Sequence, residues 1–194
     1  MPAPCPQRGP GMVMTRILIL GLGNDLISDD GLGPAVAKEC ARVLARDVSP
    51  VRTRVTEPPL PFEIEVPGRA FIRIDAAPVG GFRLLDLLAG HDVAVLIDVV
   101  QTGAVPPGTV LEWPLDRSAA GRTLGGSHQV DLCTALALGR KLGYPLPQRI
   151  HLLVAEAADL ETIREELTPA LARSISGAAS RVLALSGLTQ PSAT

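Results

Sequence analysis

The stretch that decides the fold is ILILGLGNDLISDDGLG, residues 17–33. Its first four residues are all apolar, and a strand that is apolar on both faces is typical of a buried parallel sheet. The GLG sequence that follows allows a tight turn, and two carboxylates, Asp29 and Asp30, come directly after it. Ligands of open α/β sheets bind beyond the carboxyl ends of the strands. We therefore expect these carboxylates at the rim of a binding site.

The rest of the chain alternates strand patterns with helix patterns. This alternation predicts an α/β three-layer sandwich with a mostly parallel central sheet and helices on both faces. The predicted strands are residues 71–75, 93–100 and 150–157, with an edge strand that begins at residue 109 and ends at Pro114. The predicted helices are residues 33–46, a short helix before residue 90, residues 127–143 and residues 168–187.

Length and composition favour one domain without a disulfide framework. We assign residues 16–188 to a single α/β domain, residues 1–15 to a disordered leader and residues 189–194 to a tail. Residues 48–70 are the hardest to interpret: VRTRVT could be a strand, but EPPLPFEIEVPG has too many prolines for regular structure. We expect a surface insertion there.

Charge and hydropathy exclude several classes of partner. The net charge of −2 comes from mixed acidic and basic residues, which argues against nucleic acid and anionic membranes. No window is apolar enough to span a bilayer. Three scattered cysteines without a CxxC pair fit a reducing cytoplasm. A protein or a small ligand is the expected partner.

Three side chains share a placement that suggests chemistry: Asp30 after the first strand, Asp98 near the end of VAVLIDVV, and His128 at the start of a helix. Two carboxylates and one imidazole suit a divalent transition metal, and three protein ligands leave positions open for water or substrate. Such an ion acts as a Lewis acid or lowers the pKa of bound water.

Each of these residues also has a structural interpretation. Asp30 could stabilise a helix dipole, although Asp29 is the better candidate for a helix cap. Asp98 could be a buried carboxylate satisfied by loop amides, and His128 could be an ordinary first-turn histidine. Nucleotide binding is disfavoured because Leu26 takes the third glycine position of GxGxxG, so we expect no nucleotide cofactor.

Five fragments in order resemble the nickel-iron hydrogenase maturation endopeptidases over roughly residues 16–187. They are GLGNDLISDDGLG, IDAAPVGG, VLIDVV followed by PPGT, SHQVDLCTAL and LTPAL. The resemblance implies that the chain is a metal-dependent endopeptidase, of aspartic or metallo type. Its partner would be the nickel-loaded precursor of the hydrogenase large subunit, from which it would remove a C-terminal tail.

The resemblance also implies roles for individual residues. Asp30, Asp98 and His128 fall on the metal ligands and catalytic residues of the family, and the ion would be nickel, favoured as the substrate's own. Asp75 falls on the acidic position of a loop that the family uses for substrate recognition, and we assign Gly80 and Gly81 of that loop to substrate binding.

Two departures from the family and two other functions stay open. Residues 48–70 are longer and richer in proline than usual, and AEAADLE replaces a Gly-hydrophobic-Glu-Pro stretch. Both could change which large subunit is recognised. A non-catalytic nickel-dependent docking or chaperone module is one alternative function. A peptidyl-tRNA hydrolase is the other, although its early helix-start histidine is missing here.

Overall fold

The computed structural model of the protein describes residues 14–48, 58–115 and 132–188. Within them, six strands form one sheet and four helices cover it. In chain order they are β1 (Thr15–Leu22), α1 (Leu32–Val48), β2 (Phe62–Val66), β3 (Ala70–Ala77), α2 (Arg83–Leu88), β4 (Val93–Val100), β5 (Val110–Trp113), α3 (Leu132–Lys141), β6 (Arg149–Glu156) and α4 (Pro169–Leu185). A short 3-10 helix, Ser28–Gly31, connects β1 to α1.

The sheet has the strand order β2-β3-β1-β4-β6-β5. The four inner strands are parallel to one another, whereas β2 and β5 pair antiparallel at the two edges. Alternate side chains of the inner strands pack under α1 and α4 on one face and under α2 and α3 on the other. The predicted three-layer sandwich is therefore confirmed, and no described helix is long and apolar enough to cross a membrane.

The chain reverses its direction across the sheet between β1 and β4. From β1 it passes through α1 to strands on one side, and after β3 it returns past β1 to build the other side with β4 and β6. Parallel sheets open a crevice at such a reversal, beyond the carboxyl ends of the two strands. The residues that follow β1 and those that end β4 line this crevice.

The prediction of irregular structure for EPPLPFEIEVPG was wrong in part. Its FEIEV portion forms β2, in which Phe62, Ile64 and Val66 pack toward the core while Glu63 and Glu65 point outward. The prolines flank this strand without interrupting it, and an edge strand tolerates such neighbours. β1 begins at Thr15, inside the predicted leader, and VRTRVT lies outside the described residues.

Three glycines allow the β1 carboxyl end and the α1 amino end to meet at backbone distance. A Cβ on Gly21 would collide with the carbonyl oxygen of Gly33, and a Cβ on Gly33 would collide with the carbonyl oxygen of Leu22. Gly23 has a φ of 123°, and a Cβ there would collide with the carbonyl oxygen of Asp30. The backbone contact thus fixes the position of Asp30 over the end of the strand.

We expect Gly33→Ala to lower the free energy of unfolding by about 2–4 kcal/mol, because the backbone atoms around it cannot move away. The matched control is Gly177→Ala, within α4, where an added Cβ would meet nothing within 4 Å. That change should be neutral or stabilising by up to about 1 kcal/mol. Denaturant unfolding of the three proteins makes the comparison, and equal stability of the two variants would contradict the close approach.

Candidate active site

Two neighbouring strands each bring an acidic side chain to the crevice. Gly21 of β1 pairs with Ile97 of β4, so Asp98 is the first residue of β4 beyond that pairing. Asp30 lies in the 3-10 helix that follows β1. The alternation along β4 places the Asp98 side chain on the sheet face that α2 and α3 cover. The reversal of the chain thus brings the two carboxylates to the same crevice.

Each of these two carboxylates is held by one oxygen. The backbone N–H of Asn24 donates to Oδ2 of Asp30 at 2.7 Å, and the backbone N–H of Val99 donates to Oδ1 of Asp98 at 2.8 Å. Among the described residues, the second oxygen of each carboxylate accepts no hydrogen bond. One oxygen therefore fixes the orientation, and the other is available to a ligand.

The electrostatics of the pair favour a bound cation. Burial raises the pKa of Asp98 to about 7, the hydrogen bond from Val99 opposes the rise, and the nearby charge of Asp30 adds to it. Both effects that raise this pKa disfavour the second negative charge in the crevice. A divalent cation removes that penalty, because it stabilises both carboxylates as anions. The donor set in this crevice therefore fits a metal ion.

The adjacent Asp29 has a different role. It is fully buried, and both of its oxygens accept hydrogen bonds, from the backbone N–H groups of Ala158, Asp159 and Thr168 and from the Thr168 hydroxyl, at 2.8–3.1 Å. Asp29 thus joins the loop after β6 and the start of α4 to the 3-10 helix. The expectation that it caps its own helix was wrong, since its oxygens accept hydrogen bonds from the loop after β6 and from Thr168, which directly precedes α4.

The third predicted ligand, His128, lies outside the described residues, four positions before α3 begins. Within residues 14–48, 58–115 and 132–188, no group of three His, Cys, Asp or Glu side chains could hold a metal ion. The described part of the chain therefore brings only the two carboxylates Asp30 and Asp98 of the predicted set to the crevice. The histidines at positions 91 and 151 precede β4 and lie early in β6, away from the carboxyl ends.

Comparison with known proteins identifies the family of this chain. The family model described as hydrogenase maturation protease matches residues 74–185, more than half of the chain. The chain belongs to the hydrogenase maturation protease family. Its function is accordingly that of an endopeptidase that processes the C-terminus of a hydrogenase subunit. The family match favours this function over the docking module and over the peptidyl-tRNA hydrolase.

The individual proteins that this chain resembles are also described as hydrogenase formation or maturation proteins. The hydrogenase expression/formation protein HupD of Rhodobacter capsulatus is 27% identical over 168 residues, which are 86% of this chain and 69% of HupD. The hydrogenase maturating endopeptidase HybD from E. coli is similar in structure, with a TM-score of 0.60 and 25% identity over 88% of this chain and 91% of HybD. The hydrogenase maturation protease HycI of Thermococcus kodakarensis shares the fold, at a TM-score of 0.54 and 18% identity over 89% and 93% of the two chains.

In this maturation protease the predicted substrate residues lie near the carboxyl end of β3, the strand on the other side of β1 from β4, and in the loop after it. Asp75 is level with Leu20 in the β1–β3 register, and both of its oxygens have partners: Arg73 at 2.8 Å and the N–H of Ala76 at 2.8 Å. Gly80 and Gly81 lie between β3 and α2, and Gly81 has a φ of 61°. Asp75 is therefore not arranged like the carboxylates of the crevice.

Sequence reasoning missed one buried carboxylate of the protease, Glu156. It ends β6 and accepts hydrogen bonds from the backbone N–H groups of Thr102 and Gly103, both at 2.6 Å, and from the Thr102 hydroxyl at 2.7 Å. These bonds fix the loop that follows Asp98. The available signal was an acidic residue directly after the apolar run Leu152–Ala155, because Asp98 was found as an acidic residue in a similar run.

Asp29→Asn should destabilise the protease by about 2–3 kcal/mol, because an amide NH2 would face backbone donors that now bind a carboxylate. The control is Glu65→Gln, an exposed carboxylate of β2 that lies at the far edge of the sheet. Urea unfolding of both variants provides the measurement. An Asp29→Asn protein as stable as the control would mean that this carboxylate does not hold the loop and α4 together.

Asp98→Asn should instead stabilise the metal-free protease, and more at pH 8 than at pH 5. The unfolded chain ionises Asp98 near its ordinary pKa of 3.8, whereas the folded chain holds the proton up to about pH 7. Stability of the wild type relative to the variant therefore falls as pH rises through this window and levels off above it. Thermal unfolding in a chelator at both pH values tests this, and a pH-independent difference would contradict it.

Proposed function

We propose that the protease removes the C-terminal tail from the nickel-loaded precursor of a nickel-iron hydrogenase large subunit. Asp30, Asp98 and His128 would hold the precursor's nickel during the cut, as ligands and as the catalytic residues. The observation that carries the assignment is the pair of carboxylates at the carboxyl ends of β1 and β4, each with one anchored oxygen and one available oxygen. The family supplies the hydrogenase substrate.

The nickel is best understood as part of the substrate. Two carboxylates and one histidine provide three ligands and leave coordination positions open for donors of the substrate. A precursor that brings its own nickel also brings the remaining donors. The protease would then recognise only precursor in which the metal has been inserted.

The nickel and the residues that hold it would have separate roles during the cut. The bound nickel would supply Lewis acidity at the scissile carbonyl or at an attacking water. Asp30 and Asp98 would hold the reacting region in place, each oriented by its bond to a backbone N–H. His128 would complete the set of protein ligands, and the nickel would keep both carboxylates ionised.

Asp75, Gly80 and Gly81 would contact the precursor beside the crevice. Their support is position: Asp75 lies near the carboxyl end of β3, the strand on the other side of β1 from β4, and Gly80 and Gly81 follow that strand. A loop with two glycines lets a substrate backbone approach closely. We also place the protease in the cytoplasm, where its cysteines Cys40 and Cys133 would stay reduced.

The proposal is tested by incubating the purified protease with nickel-loaded and with nickel-free precursor and measuring the intact mass of the precursor. We expect loss of a C-terminal peptide from the loaded form alone. Equal cleavage of both forms would contradict recognition through nickel. Cleavage of neither would contradict the proposed substrate.

The same assay identifies the ligands. Asp30→Asn, Asp98→Asn and His128→Ala should each reduce the cleavage rate at least about 100-fold, because each removes a ligand of the reacting metal centre. Glu65→Gln serves as the control and should cleave at the wild-type rate. Circular dichroism must show that each variant is folded. A folded Asp98→Asn protein that cleaves at the wild-type rate would exclude Asp98 from the site.

A further inference from the structure

Two large apolar side chains are exposed next to the crevice although the backbone around them is firmly held. Ile163 is 85% exposed and Leu26 is 53% exposed. Isolated exposed apolar residues are ordinary. These two, however, belong to segments that are hydrogen-bonded to each other, since the N–H of Arg164 donates to the carbonyl of Leu26 at 3.0 Å. They therefore present one apolar surface built from two parts of the chain.

Several further bonds fix this surface in place. Ile27 forms β-bridges with Ile163 and Arg164, and the N–H of Ser28 donates to the carbonyl of Arg164 at 2.8 Å. The Arg164 side chain also donates from Nε to the Ser28 hydroxyl at 3.1 Å. Asp29 holds the base of the same loop through Ala158 and Asp159. A rigid surface loses little conformational entropy when a partner binds.

The charges around the apolar pair are acidic. Glu161, Glu165 and Glu166 are exposed and have no ion pair with any described residue. Arg164 is the one basic residue of this loop, and its guanidinium nitrogen lies 3.6 Å from a carboxylate oxygen of Asp159. The positive charge of Arg164 is therefore paired within the loop. A segment that combines an apolar side chain with neighbouring basic side chains is complementary to such a surface.

The surface is also continuous with the crevice. Four peptide units separate Leu26 from Asp30, so their Cα atoms are at most about 15 Å apart. A substrate segment seated on Leu26 could therefore reach the carboxylates with about four or five extended residues. This distance argues for the protein that is cut at the crevice as the occupant.

We propose that Leu26, Ile163, Glu161, Glu165 and Glu166, together called the loop surface, dock a segment of the precursor that carries an apolar side chain beside basic ones. This inference rests on the proposed function, because the precursor is the assumed partner. The loop surface contributes binding and takes no part in bond cleavage. It would select the precursor by a part of its sequence separate from its metal centre.

The first test measures precursor binding and cleavage by the double variant Leu26→Ser/Ile163→Ser. We expect the dissociation constant and KM to rise about tenfold or more, while kcat at saturating precursor stays at the wild-type value. The control is Leu142→Ser, which removes a side chain 64% exposed just after α3, and it should bind as the wild type does. Unchanged binding by the double variant, or equal weakening by the control, would overturn the proposal.

The second test uses charge. Glu165→Lys/Glu166→Lys should weaken precursor binding at low salt, and the difference from wild type should shrink as salt is raised. A precursor whose basic residues within about five positions of the cut are replaced by glutamate should bind the wild type weakly and this variant better. Glu65→Lys is the control and should give no such recovery. Absence of recovery, or the same recovery with the control, would overturn the charge match.

The outcomes separate this inference from the proposed function. Wild-type protein that binds the precursor through the loop surface without cutting it would contradict the function and support the docking. Cleavage that is insensitive to every loop-surface variant would support the function and overturn the docking. A wild-type dimer that Leu26→Ser/Ile163→Ser dissociates, with precursor binding unchanged, would show a second copy of the chain as the occupant and would also overturn it.

Discussion

The site depends on one backbone contact, the approach of the β1 carboxyl end to the α1 amino end at Gly21 and Gly33. No side chain fits between these segments, so the chain must turn sharply after β1 and start its helix directly beside it. Because Gly23 also leaves room for the carbonyl of Asp30, the turn holds that carboxylate against the end of β4. A looser turn would separate the two acidic side chains and remove the mutual repulsion that a cation relieves.

The adjacent residues Asp29 and Asp30 have different roles, because one holds the structure together and the other faces the candidate site. Asp29 points to the other side of the turn and uses both oxygens to hold the loop after β6 and the start of α4. Asp30 uses one oxygen and keeps the other available. Asp29 thus holds three segments together, and the neighbouring Asp30 is left available for binding. Glu156 does for the loop after β4 what Asp29 does for the loop after β6.

Much of this arrangement could be predicted from the sequence, and the failures have physical causes. VAVLIDVV matches β4 residue for residue, because a strand buried on both faces leaves a continuous apolar run. The strand Phe62–Val66 was missed because its alternation of apolar and acidic residues covers only five positions. The flanking prolines were given more weight than this short pattern. The partner of Asp29 could not be predicted, since Thr168 is 139 positions away. Contacts over such distances leave no periodic pattern in the chain.

The account depends on electrostatic coupling between the carboxylates of Asp30 and Asp98 in the crevice. NMR titration of the protein with carboxyl-labelled aspartate, without metal, measures the pKa of Asp98 directly. We expect a value near 7 in the wild type and a lower one in Asp30→Asn, still above the ordinary value because burial is the larger cause. A wild-type pKa near 4, or one that Asp30→Asn leaves unchanged, would contradict the account.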